Sequence, residues 1–309
     1  MKIFRDFEAV HSIRNAVVTT GSFDGVHIAH KVILERLKKL ANEIGGETVV
    51  ITFHPHPAKV LYPDTAGKYL RLINSEREKI QLLTKAGLDN LIFVNFTLEF
   101  SKTTSSEFVS NYLLQKLHAR KIVIGFNHHF GHKREGDYQK LSKMGLEYGF
   151  DVEEIPEQEI RNETVSSGVI REALQEGDID KANVYLGHPY LIIGDTREKI
   201  EGPDDPGFPG FFVDVGEENK LFPRNGVYAV NVMDEERANY GICLINNSME
   251  ITGEAIVELY LLDDHVRFSG KQAIILFHKR IRDHVDPLRG KSLHDQLLLD
   301  KIQVESIIL

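Results

Sequence analysis

The stretch NAVVTTGSFDGVHIAHKVILERLKKLANEI, Asn15 to Ile44, decides the fold. It opens on a short apolar run, breaks at the two glycines Gly21 and Gly25, and continues with helical spacing. In the second part Ile33, Leu37, Leu40, Ala41 and Ile44 fall at i, i+4, i+7, i+8 and i+11, one stripe of a helix. Strand, glycine turn and helix in that order place free backbone N–H groups and the positive end of a helix dipole beside a tight turn. Such a turn can hold a phosphate.

The pattern repeats outward from this unit. TVVITF, LIFVNF and KIVIGF are further apolar runs of strand length. SEREKIQLLTKAG and SSEFVSNYLLQKL read as helices, each opened by a serine suited to N-capping. Continuous apolar strands alternating with helices predict a parallel sheet covered on both faces, with its ligand at the carboxyl ends of the strands where the strand order switches. After SSGVIREALQEGDIDKANVYLG the period changes. YLIIGD, FFVDVG, GVYAVNVM, YGICLI, AIVELYLL and KQAIILFHKRI read as strands, separated by the turn-rich EGPDDPGFPG, MDEERAN and NNSMEITG. Only SLHDQLLLDKIQVESI then has helical spacing. The expectation is two domains, 1–186 and 187–309: an α/β domain with a Rossmann-like parallel sheet, then a small antiparallel β-barrel or sandwich with a terminal helix.

Composition bounds the function. No apolar run reaches the roughly 18–20 residues of a membrane span, and the N-terminus MKIFRDFEAVH has no signal-peptide core, so a cytoplasmic protein without a membrane partner is expected. A single cysteine, Cys243, excludes an internal disulfide framework and a cysteine-built zinc cage. A formal charge of −9 argues against a protein that coats nucleic acid, though not against a small anionic substrate held in a local basic pocket.

Four segments carry candidate chemistry. In GSFDGVHIAH, Gly21 and Gly25 permit a tight turn and close approach, and His27 and His30 are three apart, so both would share a face of the first helical turn. Two imidazoles aimed at one phosphate can stabilise charge in phosphoryl or nucleotidyl transfer without attacking it. In VSSGVIREAL, Ser166 and Ser167 stand at a helix start with Arg171 one turn later, a set that suits a polyphosphate or simply a capped helix. In IGFNHHFGHKREGD, a strand runs into a loop bearing Asn127, His128, His129, His132, Lys133 and Arg134, a basic segment of an acidic chain. In TFHPHP, prolines stiffen the loop after a strand, and His54 and His56 would face one side if it were extended. No complete Walker A loop, G-x-G-x-x-G or G-x-S-x-G is present; RGKS at Arg289–Ser292 lacks the leading glycine.

These four segments, in this order, resemble the bacterial bifunctional riboflavin kinase/FMN adenylyltransferase (FAD synthetase) family over nearly the whole chain. GSFDGVHIAH is similar to the family's G-x-F-D-G-V-H-x-G-H, TFHPHP to T-F-x-P-H-P, GFNHHFG to G-x-N-F-x-F-G and VSSGVIR to S-S-T-x-I-R. The resemblance implies a nucleotidyltransferase domain converting FMN and ATP to FAD and pyrophosphate with Mg²⁺. It implies ATP and phosphate contacts from Gly21, Phe23, Asp24, Gly25, Asn127, Ser166, Ser167 and Arg171, and charge stabilisation by His27 and His30. Phe53, Pro55, His56 and Pro57 would lie at the flavin end. Two positions depart: Ala29 stands where the family has Gly, and Gly168 where it has Thr, removing a hydroxyl donor worth about 1–3 kcal/mol if it meets phosphate.

NGVYAVNV, VELYLLD and KRIRD resemble the riboflavin kinase barrel, and Glu258 stands at the family's catalytic glutamate, the implied base for the ribityl hydroxyl. The family's G-R-x-L-G-F-P-T-A-N, however, reads DDPGFPGFF, so Gly210 and Phe212 stand where Thr and Asn would hold Mg-ATP. The expectation is an FMN adenylyltransferase joined to a kinase-like barrel whose phosphotransfer site is degraded. A fully bifunctional enzyme, an adenylyltransferase for another phosphorylated small molecule, and a non-catalytic flavin- or nucleotide-binding paralogue are the alternatives.

Overall fold

A computed structural model describes residues 1–160, 162–199, 208–233, 238–247, 255–262, 271–283 and 293–308. Of the turns expected at 201–210, 233–239 and 246–253, residues 201–207, 234–237 and 248–253 lie outside the described residues, as does the RGKS run at 289–292. The chain divides into two compact units. One comprises Met1–Leu70 and Lys79–Val165, the other Arg71–Glu78 and Ser166–Leu309.

The first unit is built on six strands, β1 (Lys2–Phe4), β2 (Val17–Thr20), β3 (Thr48–His54), β4 (Asn90–Asn95), β5 (Lys121–Gly125) and β6 (Asp151–Ile155). They lie in the order β1-β4-β3-β2-β5-β6, and every pairing is parallel. All four residues of β2 and the first five of β3 are buried, as an apolar strand covered on both faces requires. The short β1 and the polar β6 (DVEEI) have no apolar run to announce them.

Helix α1 (Ile28–Ile44) buries Ile33, Leu34, Leu37, Leu40 and Ala41, the stripe read from the sequence with Leu34 added and Ile44 only partly buried at its end. It stops at Gly45, whose φ of 58° is left-handed, while the N–H of Gly46 closes on the Ala41 carbonyl at 2.8 Å. The short α2 (Pro57–Leu61) and α3 (Ala66–Tyr69) follow β3. Helix α4 (Glu76–Lys85) opens on a reciprocal cap. Ser75 Oγ accepts from the Glu78 N–H at 3.3 Å, and Glu78 Oε2 accepts from the Ser75 N–H at 2.8 Å. Helix α5 (Ser105–Glu107) runs on as a π-helical segment, Phe108–Lys116. Its cap is Thr104, boxed with Glu107, and not the serine expected, because the threonine hydroxyl reaches the Glu107 N–H. Helix α6 (Tyr138–Tyr148) precedes β6, and the two-residue strands β7 (Glu159–Ile160) and β8 (Glu163–Thr164) pair antiparallel after it.

In the second unit, α7 (Ser167–Glu176) and α8 (Ile179–Leu186) lead into a closed six-stranded barrel: β9 (Tyr190–Glu198), β10 (Gly210–Asp214), β11 (Gly226–Met233), β12 (Ala238–Asn247), β13 (Ala255–Leu261) and β14 (Gln272–Arg282). Asn183 ties α8 to the barrel, donating to the Phe277 carbonyl at 2.9 Å and accepting from the Tyr190 N–H at 2.7 Å. Helix α9 (Leu293–Ile308) seals one end with the fully buried Leu297 and Val304. Asp300 of α9 is buried too, and Arg282 grips its carboxylate through two nitrogens at 2.9 and 2.6 Å.

A buried ion pair closes the segment Arg71–Glu78 onto this unit. Lys220 and Glu78 are fully inaccessible, with Nζ 2.5 Å from Oε2. The ammonium also donates to the carbonyls of Ile73 at 2.6 Å and Leu191 at 3.2 Å, and lies over the Tyr190 ring. The second carboxylate oxygen takes the Ile193 N–H at 3.0 Å. Each charge is thereby supplied with the partners that its burial demands.

Candidate functional site

The order of the first sheet fixes where a ligand would lie. From β2 the chain passes to β3 on one side and later to β5 on the other, so the strand order reverses at β2. The segments after β2, β3 and β5 all leave the carboxyl edge of adjacent parallel strands, which is the position of a ligand crevice in an open α/β sheet. Three of the four segments singled out in the sequence therefore converge by topology alone.

The loop after β2 is strained. Phe23, Gly25 and Val26 have φ of 46°, 92° and 42°. Glycine accepts this freely, but a buried phenylalanine and a β-branched valine do not; each costs on the order of 1–3 kcal/mol and persists only where surroundings enforce it. Gly25 thus has a backbone reason to be glycine, whereas a Cβ at Gly21 would only touch the Phe23 ring at 3.4 Å. The enforcement includes Lys79 of α4, buried, whose ammonium donates to the Ser22 carbonyl at 2.8 Å, alongside Thr52 Oγ1 at 3.1 Å. Lys79 sits inside the SEREKIQLL helix, where its spacing reads as an ordinary helical lysine; nothing local signals that it meets a loop 57 residues away.

His27 and His30 come together as expected, though not by the expected route. His27 is the extended N-cap of α1 (φ −70°, ψ 176°), outside the first turn, and its side chain caps nothing. The two imidazoles nevertheless stack, centroids 3.7 Å apart and planes 17° apart, and Phe23 stacks on the other ring of the row, 4.5 Å from His30. Desolvation, then the neighbouring His27 and Lys79, hold the His30 imidazole well below its ordinary range, so it is neutral at pH 7. Asp24 is buried in the same loop.

Two buried polar atoms here, Thr20 Oγ1 at the end of β2 and His30 Nδ1, make no hydrogen bond among the described residues, nor does His128 Nε2 beyond β5. Buried polar atoms are satisfied in the great majority of cases, so three orphans along one sheet edge are groups with capacity for a polar ligand.

After β3, Phe53 packs edge-on against Phe96 and near Phe100, leaving part of its ring accessible, and Pro55 is exposed. His56 does not extend alongside His54. It is the N-cap of α2, its Nδ1 accepting from the Ala58 N–H at 3.2 Å, because Pro57 starts that helix. After β5, Asn127 is exposed with φ 55°, and its carbonyl lies 2.8 Å from His129 Nδ1. Burial, then His129 and Arg134, push His128 down to about 4. The loop is tied back where His132 Nδ1 meets the Ser101 carbonyl and Glu135 accepts from Ser105 N–H and Oγ; Lys133 and Arg134 are exposed. Among the described residues, no group of three or more His, Cys, Asp or Glu is placed to hold a metal ion.

The fourth segment belongs to the second unit. Ser166 is the N-cap of α7, its Oγ accepting from the Val169 N–H at 3.4 Å, and Ser167 is the first helical residue. Arg171 donates through Nε to the Arg71 carbonyl at 2.9 Å, which orients its guanidinium. A Cβ at Gly168 would lie 3.6 Å from Ser166 Oγ, so glycine is not required there by space.

In the barrel, Glu258 of β13 stands opposite Phe212 of β10. Lys199, just past β9, places Nζ 2.5 Å from Glu258 Oε2 and 2.5 Å from the Tyr260 hydroxyl, which itself donates to the same carboxylate oxygen at 2.9 Å. Burial pushes the Tyr260 phenol up to about 12, so it keeps its proton. The carboxylate expected to be a free base is held on two sides. Sequence spacing could not show this, since Lys199 and Glu258 are 59 residues apart.

Comparison with known proteins gives a family for each part of the chain. The FAD synthetase family model matches residues 10–169, and the riboflavin kinase family model matches residues 186–308. A bifunctional riboflavin kinase/FMN adenylyltransferase of Listeria monocytogenes is 32% identical over 87% of this chain and 84% of its own. One from Escherichia coli K12 is 30% identical over 96% of both chains. The crystal structure of a macrolide-efflux protein from Streptococcus pneumoniae superposes with a TM-score of 0.86 over 98% of both chains at 24% identity, a likeness of fold. No helix among the described residues is long and apolar enough to cross a membrane. With a parallel-sheet unit and a closed barrel each matched by its own family model, the chain belongs to the bifunctional riboflavin kinase/FMN adenylyltransferase family.

Proposed function

We propose that the first functional part, 1–186, makes FAD from FMN and ATP, and that the barrel part, 187–309, takes flavin without phosphorylating it; the matched segments 10–169 and 186–308 support that division. An oxygen of the FMN phosphate attacks the α-phosphorus of ATP, a new P–O bond forms, and the bond to the β-phosphate breaks to release pyrophosphate. Mg²⁺ enters with ATP as part of the substrate. His27 and His30 meet the α-phosphate oxygens, where a neutral imidazole donates one N–H to the growing negative charge. Gly21, Phe23, Asp24 and Gly25 shape the turn for the nucleotide, and Asn127 orients phosphate or ribose. Ser166, Ser167 and Arg171 hold the β- and γ-phosphates. Phe53 offers the flavin an apolar face, with Pro55, His56 and Pro57 framing it. No covalent nucleophile is needed; positioning and fixed dipoles carry the step.

The observation that carries this reading is the stacked His27–His30 pair beside orphaned polar atoms at the switch of the sheet. For the barrel, it is that positions 210 and 212, glycine and phenylalanine, offer no side-chain oxygen to a metal. The test is a chromatographic assay of the purified protein with Mg-ATP, containing either FMN or riboflavin. FAD from FMN and no product from riboflavin is the expected result. FMN appearing from riboflavin overturns the silent barrel, and no product from either substrate favours a binding paralogue.

A further inference from the structure

We infer that Lys199 is a built-in cation that occupies the divalent-metal corner of the barrel, holding Glu258 as an ion pair in place of a metal-assisted base. The inference rests on the reading of the barrel as a riboflavin-kinase-like fold and not on the chemistry of the first unit.

The described walls of the corner are shaped to the lysine. The ammonium is 2.5 Å from Glu258 Oε2, and the Tyr260 hydroxyl bridges both. The ring of Phe212 lies 5.0 Å from Nζ and that of Tyr260 4.9 Å, cation–π distances on two sides. Gly210 leaves the stem its path: a Cβ there would come within 3.2 Å of Lys199 Cδ and 3.1 Å of the Tyr260 ring. The Lys199 N–H donates to the Gly210 carbonyl at 2.8 Å, so backbone pairing fixes where the side chain starts. Glycine at 210 and phenylalanine at 212 are therefore two parts of one arrangement around an ammonium, and their joint presence needs no separate explanation.

The same corner does not fit a divalent cation. Mg²⁺ asks for about six oxygens in an octahedron at ~2.0–2.1 Å. The described side chains here supply one carboxylate and one phenol that keeps its proton, and both already face the ammonium. A cation approaching Glu258 would have to displace Lys199 from its ion pair and from two aromatic faces. One oxygen of Glu258, Oε2, already accepts from two donors, so that side of the carboxylate is held as the partner of the ammonium.

The experiment uses the full-length protein as wild type, Lys199→Met, Glu258→Gln and the double variant. Manganese is the metal probe, counted by electron paramagnetic resonance without nucleotide, and thermal unfolding is followed in parallel. The number and affinity of bound Mn²⁺ ions should be the same in wild type and Glu258→Gln. Lys199→Met should lower the unfolding midpoint of the barrel, and Glu258→Gln in that background should restore most of the loss. A Mn²⁺ ion that wild type binds and Glu258→Gln does not would overturn the inference. So would a Lys199→Met variant as stable as wild type. FMN formation from riboflavin that vanishes in Glu258→Gln would overturn it as well, because Glu258 would then be a working base. FAD formation from FMN, measured in wild type and Lys199→Met, reports separately on the first unit, so failure there leaves the Lys199 result standing.

Discussion

His27 and His30 stack ring on ring, 3.7 Å between centroids, although one is the extended residue before α1 and the other lies within its first turn. Stacked imidazoles this close cannot both be protonated without strong repulsion, so they act as one unit toward an anion. Replacing His30 by alanine should reduce FAD formation from FMN by about 10²–10³-fold, the usual loss for one preorganised donor to a developing oxyanion. Circular dichroism should be unchanged and the unfolding midpoint only modestly lower, since the truncated ring gives up its stacking on His27 and Phe23. A loss of less than tenfold in steady-state turnover would remove His30 from the chemistry.

Acid should weaken the first unit through its buried histidines. His30 and His128 both titrate below the ordinary imidazole value, His128 at about 4. The unfolded chain therefore binds protons that the folded unit refuses, and stability falls as pH drops below roughly 6.5, continuing for His128 to about pH 4. Above pH 7 neither group contributes a slope. Thermal unfolding between pH 8 and 4 tests this: His128→Asn should flatten the acid limb, and an unchanged limb would refute the assignment.

Gly168 has room for a side chain: a Cβ at this position would meet Ser166 Oγ first, at an ordinary contact distance of 3.6 Å. Gly168→Ser should stabilise α7 by roughly 0.5–1 kcal/mol, since glycine is a poor helical residue. It should also lower KM for ATP in FAD formation severalfold with little change in kcat, because a hydroxyl is added to the helix start beside Ser166 and Ser167. An unchanged KM would show that the polyphosphate does not reach this helix.

Lys220 is the most costly single truncation predicted. Lys220→Met leaves the Glu78 carboxylate buried and uncompensated, a loss of about 3–5 kcal/mol. Urea unfolding should show it, and Glu78→Gln in the same background should recover part. Equal stability of Lys220→Met and wild type would mean that the pair is not buried in solution.

The fold is legible in the sequence because continuous apolar strands and helical stripes have few other meanings. β3 (TVVITFH) and the Ile33–Leu37–Leu40–Ala41 stripe announce themselves. β1 and β6 do not, being respectively three residues long and largely polar. At the site, the short-range motifs locate every loop that the switch in strand order brings to one edge. What local pattern does not carry is side-chain meeting at long range: Lys79 on Ser22, Lys220 on Glu78 and Lys199 on Glu258. A lysine reads as solvated until the fold shows its partner. His56 departs from its extended reading for a related reason, since a proline that stiffens a loop is equally the preferred first residue of a helix.

The assignment of Arg71–Glu78 to the second unit has a consequence for how such a protein can be taken apart. The backbone passes between the compact units three times, at Leu70–Arg71, Glu78–Lys79 and Val165–Ser166. A simple end-to-end fusion of two ancestral genes would leave one such passage. Here the first half of the chain supplies eight residues, with the Glu78 carboxylate among them, to the packing of the second unit. An expression fragment ending at Val165 would keep those eight residues without their partners: an unpaired acid, and an α4 start whose companions had been cut away. Cutting once yields two incomplete pieces, so the two family-matched parts of this chain are separable in sequence matching but not by a single cleavage.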